Sequence, residues 1–257
     1  MKYANRIPLD LLRDPLTTTD PLEYIGNELI NPKTGQRYPV HDGLPYFAAQ
    51  VEGKNLKFQK MYNRLAIGYD LAEGIYQKLT GRDYRGEYIA EVEAEAGKRV
   101  LEVSVGTGSN LHLLPRECEF YGLDLTPGML ARCRANLERW RLNAALVQGE
   151  AERLPFADDS FDCVFHVGGI NFFNDREAAI CEMIRVARPG TKIVIVDETE
   201  KIVEGSYRKN PFIRGEFKTE KGVVTAPLEQ VPAAMTEMAC KLIFEQRLYC
   251  ITFRKPA

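Results

Sequence analysis

Residues 99–110 read RVLEVSVGTGSN, and this stretch decides the fold class. Its first part, Arg99–Val105, is apolar and rich in β-branched residues, which predicts a buried strand. Gly106 and Gly108 follow at once and predict a tight turn, because a glycine backbone bends sharply and approaches a ligand without a Cβ in the way. Alone, a glycine turn after a strand is a weak functional signal, since dinucleotide sites use it too.

From Lys98 onward, strand patterns alternate with helix patterns. Thr126 and Pro127 suit the N-cap and the first position of a helix. This alternation predicts an α/β, Rossmann-like fold whose mostly parallel sheet is covered on both faces. Two C-terminal runs, KLIFEQ and LYCITF, predict strands that pair antiparallel at one edge. The other predicted elements are strands at Phe120–Leu125, Ala145–Gly149, Phe161–Val167 and Lys192–Val196, and a helix at Arg176–Ala187.

The chain before Lys98 divides into two parts. Residues 1–50 are rich in Pro, Thr, Asp and Gly between short apolar pieces, which predicts a small module of hairpins. Residues 51–257 form the main domain in this division, and residues 51–97 are its helical lid region. Helix formers dominate from Asn55 to about Ala96, so we expect two or three helices there.

Composition excludes several classes of protein. The chain has 257 residues with 34 basic and 36 acidic side chains, a net charge of −2, so a basic field for nucleic acid or an anionic membrane is absent. No apolar stretch has the length of a signal peptide or a membrane span, which favours a cytoplasmic protein. The six cysteines are dispersed and predict neither disulfides nor a metal site. We expect a small-molecule partner, with the oligomeric state left open.

Informative residues should lie where parallel strands end, because ligands of open α/β sheets bind there. The second predicted strand ends at Asp124, and a carboxylate there accepts both hydroxyls of a ribose lying across the glycine turn. Nicotinamide sites and adenosylmethionine sites share this arrangement. The alternative is that Asp124 merely precedes the helix cap at Thr126.

The third strand is followed by a more specific pattern. Glu150-Ala151 precedes Leu154-Pro155-Phe156, Ser160-Phe161-Asp162 opens the next strand, and Val186–Gly190 reads VARPG. In this order, the motifs resemble those of class I S-adenosylmethionine-dependent methyltransferases, within the UbiE-like (methyltransferase type 11) group. The resemblance covers roughly residues 98–199.

The resemblance implies S-adenosylmethionine as cofactor, S-adenosylhomocysteine as product and no metal. Two positions depart from the family pattern: Ser104 replaces the first glycine, and Glu150 replaces the commoner Asp. The implied cofactor residues are Glu102, Ser104, Gly106, Gly108 and Asn110 for the amino-acid part and sulfonium end, Asp124 for the ribose, Leu125 and Met129 beside the adenine, Glu150 for its exocyclic amine, the Ala151 N–H for a ring nitrogen, and His166 along the cofactor.

The methyl acceptor is expected beyond the fourth strand. His166, Asn171, Phe172 and Phe173 are candidates there, and Tyr62 and Tyr69 resemble the family's lid helix. His166 is a weak candidate for a general base, since its ordinary pKa is near 6.5. The alternative is a strand residue lining the cofactor. The catalytic residue is otherwise unknown, because many relatives need none.

Residues 1–50 resemble the zinc ribbon of Trm112-like proteins with its ligands lost. Asp14, Thr17, Asn31 and Thr34 occupy the positions that would be cysteines. Oxygen side chains without thiolates do not make the usual tetrahedral zinc site. This implies a degenerate module that folds without metal.

Two other functions stay open. A non-catalytic cofactor-binding or partner-binding pseudoenzyme fits the departure at Ser104 and the degenerate first module. A nicotinamide-dependent oxidoreductase is disfavoured, because Leu111 stands where GxGxxG has its third glycine. The leading prediction is in-line methyl transfer to a small-molecule acceptor.

Overall fold

A computed structural model describes residues 7–48, 50–80, 85–202, 204–205 and 225–257; the side chains of residues 67 and 69–80 lie outside this description. Its centre is a seven-stranded sheet. The strands are β5 (Arg99–Val103), β6 (Glu119–Asp124), β7 (Ala144–Gln148), β8 (Cys163–Val167), β9 (Lys192–Glu198), β10 (Thr236–Ile243) and β11 (Leu248–Arg254). Their order across the sheet is β10-β11-β9-β8-β5-β6-β7.

Strands β5 to β9 are parallel, as the sequence predicts. Glu102 pairs with Gly122 on β6, and Val103 pairs with His166 on β8. The predicted antiparallel pair is also present, with β11 lying between β9 and β10. Strand β10 begins at Thr236, whereas the sequence predicted a strand from Lys241. The prediction missed the first residues because nearly all of this strand is exposed and carries little apolar signal.

Helices cover both faces of this sheet. On β9, Ile193 and Ile195 contribute to one buried cluster, and Val194 and Val196 to the other, as the two-residue period of a strand requires. Helix α3 (Pro127–Trp140) packs on the second face and α4 (Arg176–Val186) on the first. As predicted, α3 has Thr126 as its N-cap and Pro127 in its first turn.

Residues 7–48 contain a four-stranded antiparallel sheet on the α4 side. Leu12 bridges Phe156, and the Phe47 N–H donates to the Gln148 carbonyl at 2.8 Å. Apolar side chains of this segment share one buried cluster with the main sheet, so the segment is docked on it along one edge. The strands are β1 (Glu23–Ile25), β2 (Glu28–Ile30), β3 (Arg37–His41) and β4 (Leu44–Pro45).

The predicted helices before the sheet are α1 (Gly53–Thr80) and α2 (Gly86–Ile89); a short α5 (Glu200–Ile202) follows β9. Within the described ranges, every helix is too short or too polar to span a bilayer.

Candidate functional site

The carboxyl ends of β5, β6, β8 and β9 meet around one cavity of about 150 Å³. Parallel strands end at the same edge of a sheet, so residues from four separate strand ends converge there. Helix α1 forms the opposite wall. Among the predicted site residues, the cavity is lined by Tyr62, Ser104, Gly106, Asp124, Leu125, Met129, Phe172 and Phe173.

Asp124 is fixed at the centre of this edge. It is 7% exposed; its Oδ2 accepts the Gly106 N–H at 2.9 Å and its Oδ1 accepts the Thr126 N–H at 2.8 Å. Burial raises the pKa of the carboxyl, and the hydrogen bonds from these backbone groups oppose that rise. Each carboxylate oxygen has lone pairs left, so Asp124 can still accept hydroxyl groups of a ligand.

The turn after β5 has the left-handed backbone that glycine favours. Gly106 has a φ of 54°, and a Cβ placed on it would meet only the Ser104 carbonyl oxygen, at 4.0 Å. Ser104 has a φ of 63°, which costs a residue with a side chain about 1 kcal/mol. The family's glycine at this position therefore has a physical reason, and Ser104 holds the same backbone under strain.

Glu102 lies behind the turn rather than on the cavity wall. It is fully buried; its Oε1 accepts a hydrogen bond from Asn110 Nδ2 at 2.6 Å, and its Oε2 has no partner among the described residues. Burial raises the pKa of this carboxyl to about 8. Asn110 in turn accepts from the Tyr88 hydroxyl at 2.8 Å, so Asn110 links Glu102 to α2.

His166 is also buried behind the cavity. Its Nδ1 lies 2.9 Å from the Val103 carbonyl oxygen, and its Nε2 accepts the Ile170 N–H at 3.1 Å. Burial lowers the pKa of the imidazole to about 4. Both ring nitrogens have backbone partners, which disfavours a general base; the contact with the cofactor stays a prediction.

Two further predicted residues have structural contacts of their own. Asn171 is 1% exposed; its amide donates to the Glu198 carbonyl at 2.9 Å and accepts from the Tyr249 hydroxyl at 2.9 Å. Asn171 is not among the residues that line the cavity, and its assignment to the acceptor pocket stays a prediction. Gly108 packs against α3, where an added Cβ would meet Cys133 Sγ at 2.8 Å.

Glu150 borders a second, larger cleft of about 680 Å³ between the N-terminal sheet and the main domain. Its Oε1 accepts a hydrogen bond from Asn55 Nδ2 on α1 at 3.1 Å. Asn55 also donates to Glu152 Oε1 at 3.0 Å and lines both cavities. Ala151, beside Glu150, is buried.

Sequence reasoning missed several residues of the cavity wall. Gly168, Gly169 and Glu198 follow or end strands β8 and β9, so the strand-end rule could have found them. Phe58 and Gln59 come from α1, and no local pattern marks them. The side chain of Tyr69, a predicted lid residue, lies outside the described residues.

Comparison with known proteins shows which family has a sequence like that of this sheet edge. The profile of a family described as "Methyltransferase domain" matches residues 101–195. A demethylmenaquinone methyltransferase of Thermus thermophilus is 32% identical over 211 residues, which cover 75% of this chain and 95% of that protein. The chain belongs to the class I S-adenosylmethionine-dependent methyltransferases.

Other relatives match less of their length. The demethylmenaquinone methyltransferase of Deinococcus radiodurans is 33% identical over 149 residues, 57% of this chain and 62% of that protein. A solved structure of an S-adenosylmethionine-dependent methyltransferase from Aquifex aeolicus superposes with a TM-score of 0.50 at 18% identity, over 66% of this chain and 88% of that one. This likeness supports the Rossmann-like fold of the family.

The residues present fit the cofactor of this family. The open left-handed turn at Gly106 leaves space over the end of β5, and Asp124 beside it keeps acceptor capacity for hydroxyl groups. Leu125 and Met129 add apolar surface to the same wall. In the described part of the chain, no group of three or more His, Cys, Asp or Glu side chains is placed so that it could hold a metal ion.

Proposed function

We propose that the protein transfers a methyl group from S-adenosylmethionine to a small, flat, largely apolar acceptor. The observation that supports this best is the pairing of two surfaces in one cavity. Asp124 and the Ser104–Gly106 turn form one side, and the aromatic rings of Phe58 and Phe172 form another. These two rings are buried and stack against each other with centroids 4.4 Å apart, so they give the cavity an apolar, aromatic wall.

The names of the relatives give the acceptor to test first. Several are demethylmenaquinone methyltransferases, so we propose an acceptor of this type. When bound, S-adenosylmethionine supplies an already electrophilic methyl group, so the protein has mainly to bind, align and exclude water. Asp124 would hold the ribose hydroxyls, and α1 with Phe172 would cover the cleft.

Glu198 is proposed to accept the proton of an acceptor that has to lose one. It lines the cavity at the carboxyl end of β9, and the other carboxylate on that wall, Asp124, is assigned to the cofactor. Glu198→Gln is expected to lower kcat at least tenfold while the affinity for S-adenosylhomocysteine stays within twofold. A parallel loss of affinity would instead make Glu198 a cofactor ligand.

The decisive experiment is calorimetric titration with S-adenosylmethionine and S-adenosylhomocysteine. Asp124→Ala is expected to weaken binding at least tenfold, which corresponds to about 1.4 kcal/mol. Glu119→Ala, at the exposed start of the same strand, is the matched control and should bind normally. Failure of the unaltered protein to bind either compound would refute the proposal.

Turnover is then assayed as S-adenosylhomocysteine formed with demethylmenaquinone and with simpler quinols. Methylated product from any of them supports the proposed activity. Saturable cofactor binding without turnover across the panel would favour the non-catalytic alternative.

A further inference from the structure

Helix α1 closes the cavity that the proposed function assigns to the cofactor. Phe58, Gln59 and Tyr62 all lie on its wall. The pocket behind this wall has a volume of about 150 Å³ with α1 in this position. Exchange of a cofactor past this wall depends on the contacts that hold α1.

Three amide side chains hold α1 in place. Asn55, Gln59 and Asn63 are spaced four residues apart and therefore share one helix face. Gln59 Nε2 donates to the Leu125 carbonyl at 2.9 Å, just after β6. Asn63 Oδ1 accepts the Gly128 N–H at 2.9 Å, in the first turn of α3. These two amides bind backbone groups beside the cavity, whereas Asn55 binds Glu150 and Glu152.

The contact to Gly128 completes a helix terminus. The first N–H groups of a helix have no partner within it, and the side chain at the N-cap usually provides one. Thr126, the N-cap of α3, makes no such side-chain hydrogen bond. Asn63 supplies the acceptor from another helix. A Cβ at Gly128 would lie 2.7 Å from Asn63 Oδ1, so only glycine permits this approach.

We propose that Gln59 and Asn63 are positioning residues that latch α1 over the cofactor cleft and set the rate of cofactor exchange. The proposal rests on the proposed function. Both latches bind backbone atoms of the main domain, and the proposal is that these contacts are equal in the empty and the filled cleft. A contact that is equal in both states changes no affinity, because only differential interactions shift an equilibrium. It slows binding and release by the same factor.

The two latches need opposite chemistry, which gives matched variants. Position 59 must donate to a carbonyl, so Gln59→Glu removes the donor and sets an acceptor against an acceptor. Position 63 must accept, so Asn63→Asp keeps the latch and places its charge at the favourable end of α3. Asn63→Ala removes it. Lys60→Ala, on the exposed face of α1, is the control.

The exchange of S-adenosylhomocysteine is followed by surface plasmon resonance on the full chain. Gln59→Glu and Asn63→Ala are expected to raise the association and dissociation rate constants together, about threefold to tenfold each. Kd of Asn63→Ala should stay within twofold, because Asn63 is not among the residues that line the cavity, whereas Gln59 is. Asn63→Asp and Lys60→Ala should behave like the unaltered protein. Unchanged rates in both variants, or in Asn63→Ala a faster dissociation matched by a weaker Kd, would overturn the proposal.

A second readout needs no ligand. Hydrogen exchange at the start of α3 is expected to accelerate about threefold or more in Asn63→Ala, where the Gly128 N–H loses its acceptor, and not in Asn63→Asp. If the unaltered protein binds no S-adenosylhomocysteine, the proposed function fails. The hydrogen-exchange rates at the start of α3 still test whether Asn63 holds α1 to α3. Equal exchange in all variants would overturn the latch.

Discussion

Asn31 Nδ2 donates a hydrogen bond to Asp14 Oδ2 at 2.6 Å, and both side chains are completely buried. Asp14 also accepts from the Leu16 N–H at 2.9 Å and from the Tyr38 hydroxyl. Asn31 accepts from the Lys33 N–H at 2.9 Å. Two of the positions that resemble lost zinc ligands are thus joined by a polar network. The relation of residues 1–50 to a zinc ribbon stays a prediction.

We expect Asp14→Ala to lower the free energy of unfolding by about 3 kcal/mol, because it leaves several buried donors without an acceptor. Glu28→Ala is the control: it removes an exposed ion pair with Arg37 from the same sheet and should cost less than about 1 kcal/mol. Guanidinium unfolding measures both. Equal losses would show that the Asp14 network adds nothing to stability.

Ser104→Gly should stabilise the protein by about 1 kcal/mol, because glycine adopts the left-handed backbone without the Cβ clash. Ser104→Ala is the matched control, since alanine keeps the Cβ and therefore the strain. Thermal unfolding of the three proteins gives the comparison. A less stable glycine variant would mean that the Ser104 side chain makes a contact worth more than the strain.

Because Glu102 is buried, we expect its ionisation to lower the free energy of unfolding as pH rises. Burial raises its pKa to about 8 from an ordinary 4.5, so between these values the folded state holds a proton that the unfolded state has released. The free energy of unfolding then decreases with pH, by at most about 1.4 kcal/mol per unit from one group. The side chain at position 102 in Glu102→Gln cannot ionise. The free energy of unfolding of this variant should therefore rise, relative to that of the unaltered protein, from pH 5 to pH 8.

Unfolding at pH 5, 6.5 and 8 tests this, with Glu119→Gln as the exposed control. Glu119 pairs with Arg99 on the surface and should show no such gain. A difference between Glu102→Gln and the unaltered protein that stays constant with pH would contradict a buried, protonated Glu102.

His166→Ala is expected to cost about 3 kcal/mol of stability, because it empties buried space and leaves two backbone partners unpaired. The pH profile of turnover between pH 6 and 8 should keep its shape, since the imidazole is already neutral there. His112→Ala, at an exposed position, serves as control for both measurements. A rate profile that loses an ionisation near neutral pH would restore the base role.

Local sequence patterns were enough to predict the main sheet and some of the residues that line the cavity. The glycine turn after β5 and the acid ending β6 are marked by residues close together in the chain, and both reach the cavity. The family resemblance assigned Glu102 and His166 to the cofactor, whereas neither residue lines the cavity in the structure. A strand pattern tells which residues are buried, and it does not tell whether a buried polar side chain meets a ligand or a backbone group.

The sequence by itself determined the α/β alternation, the parallel order of strands along the chain and the family, because these depend on periodicity and on turn residues within short windows. Only the tertiary structure decided how the cavity is closed. Gln59 meets Leu125 across 66 residues of chain, and Asn63 meets Gly128 across 65. Such contacts arise from the packing of separately formed helices and loops, and no local pattern encodes them.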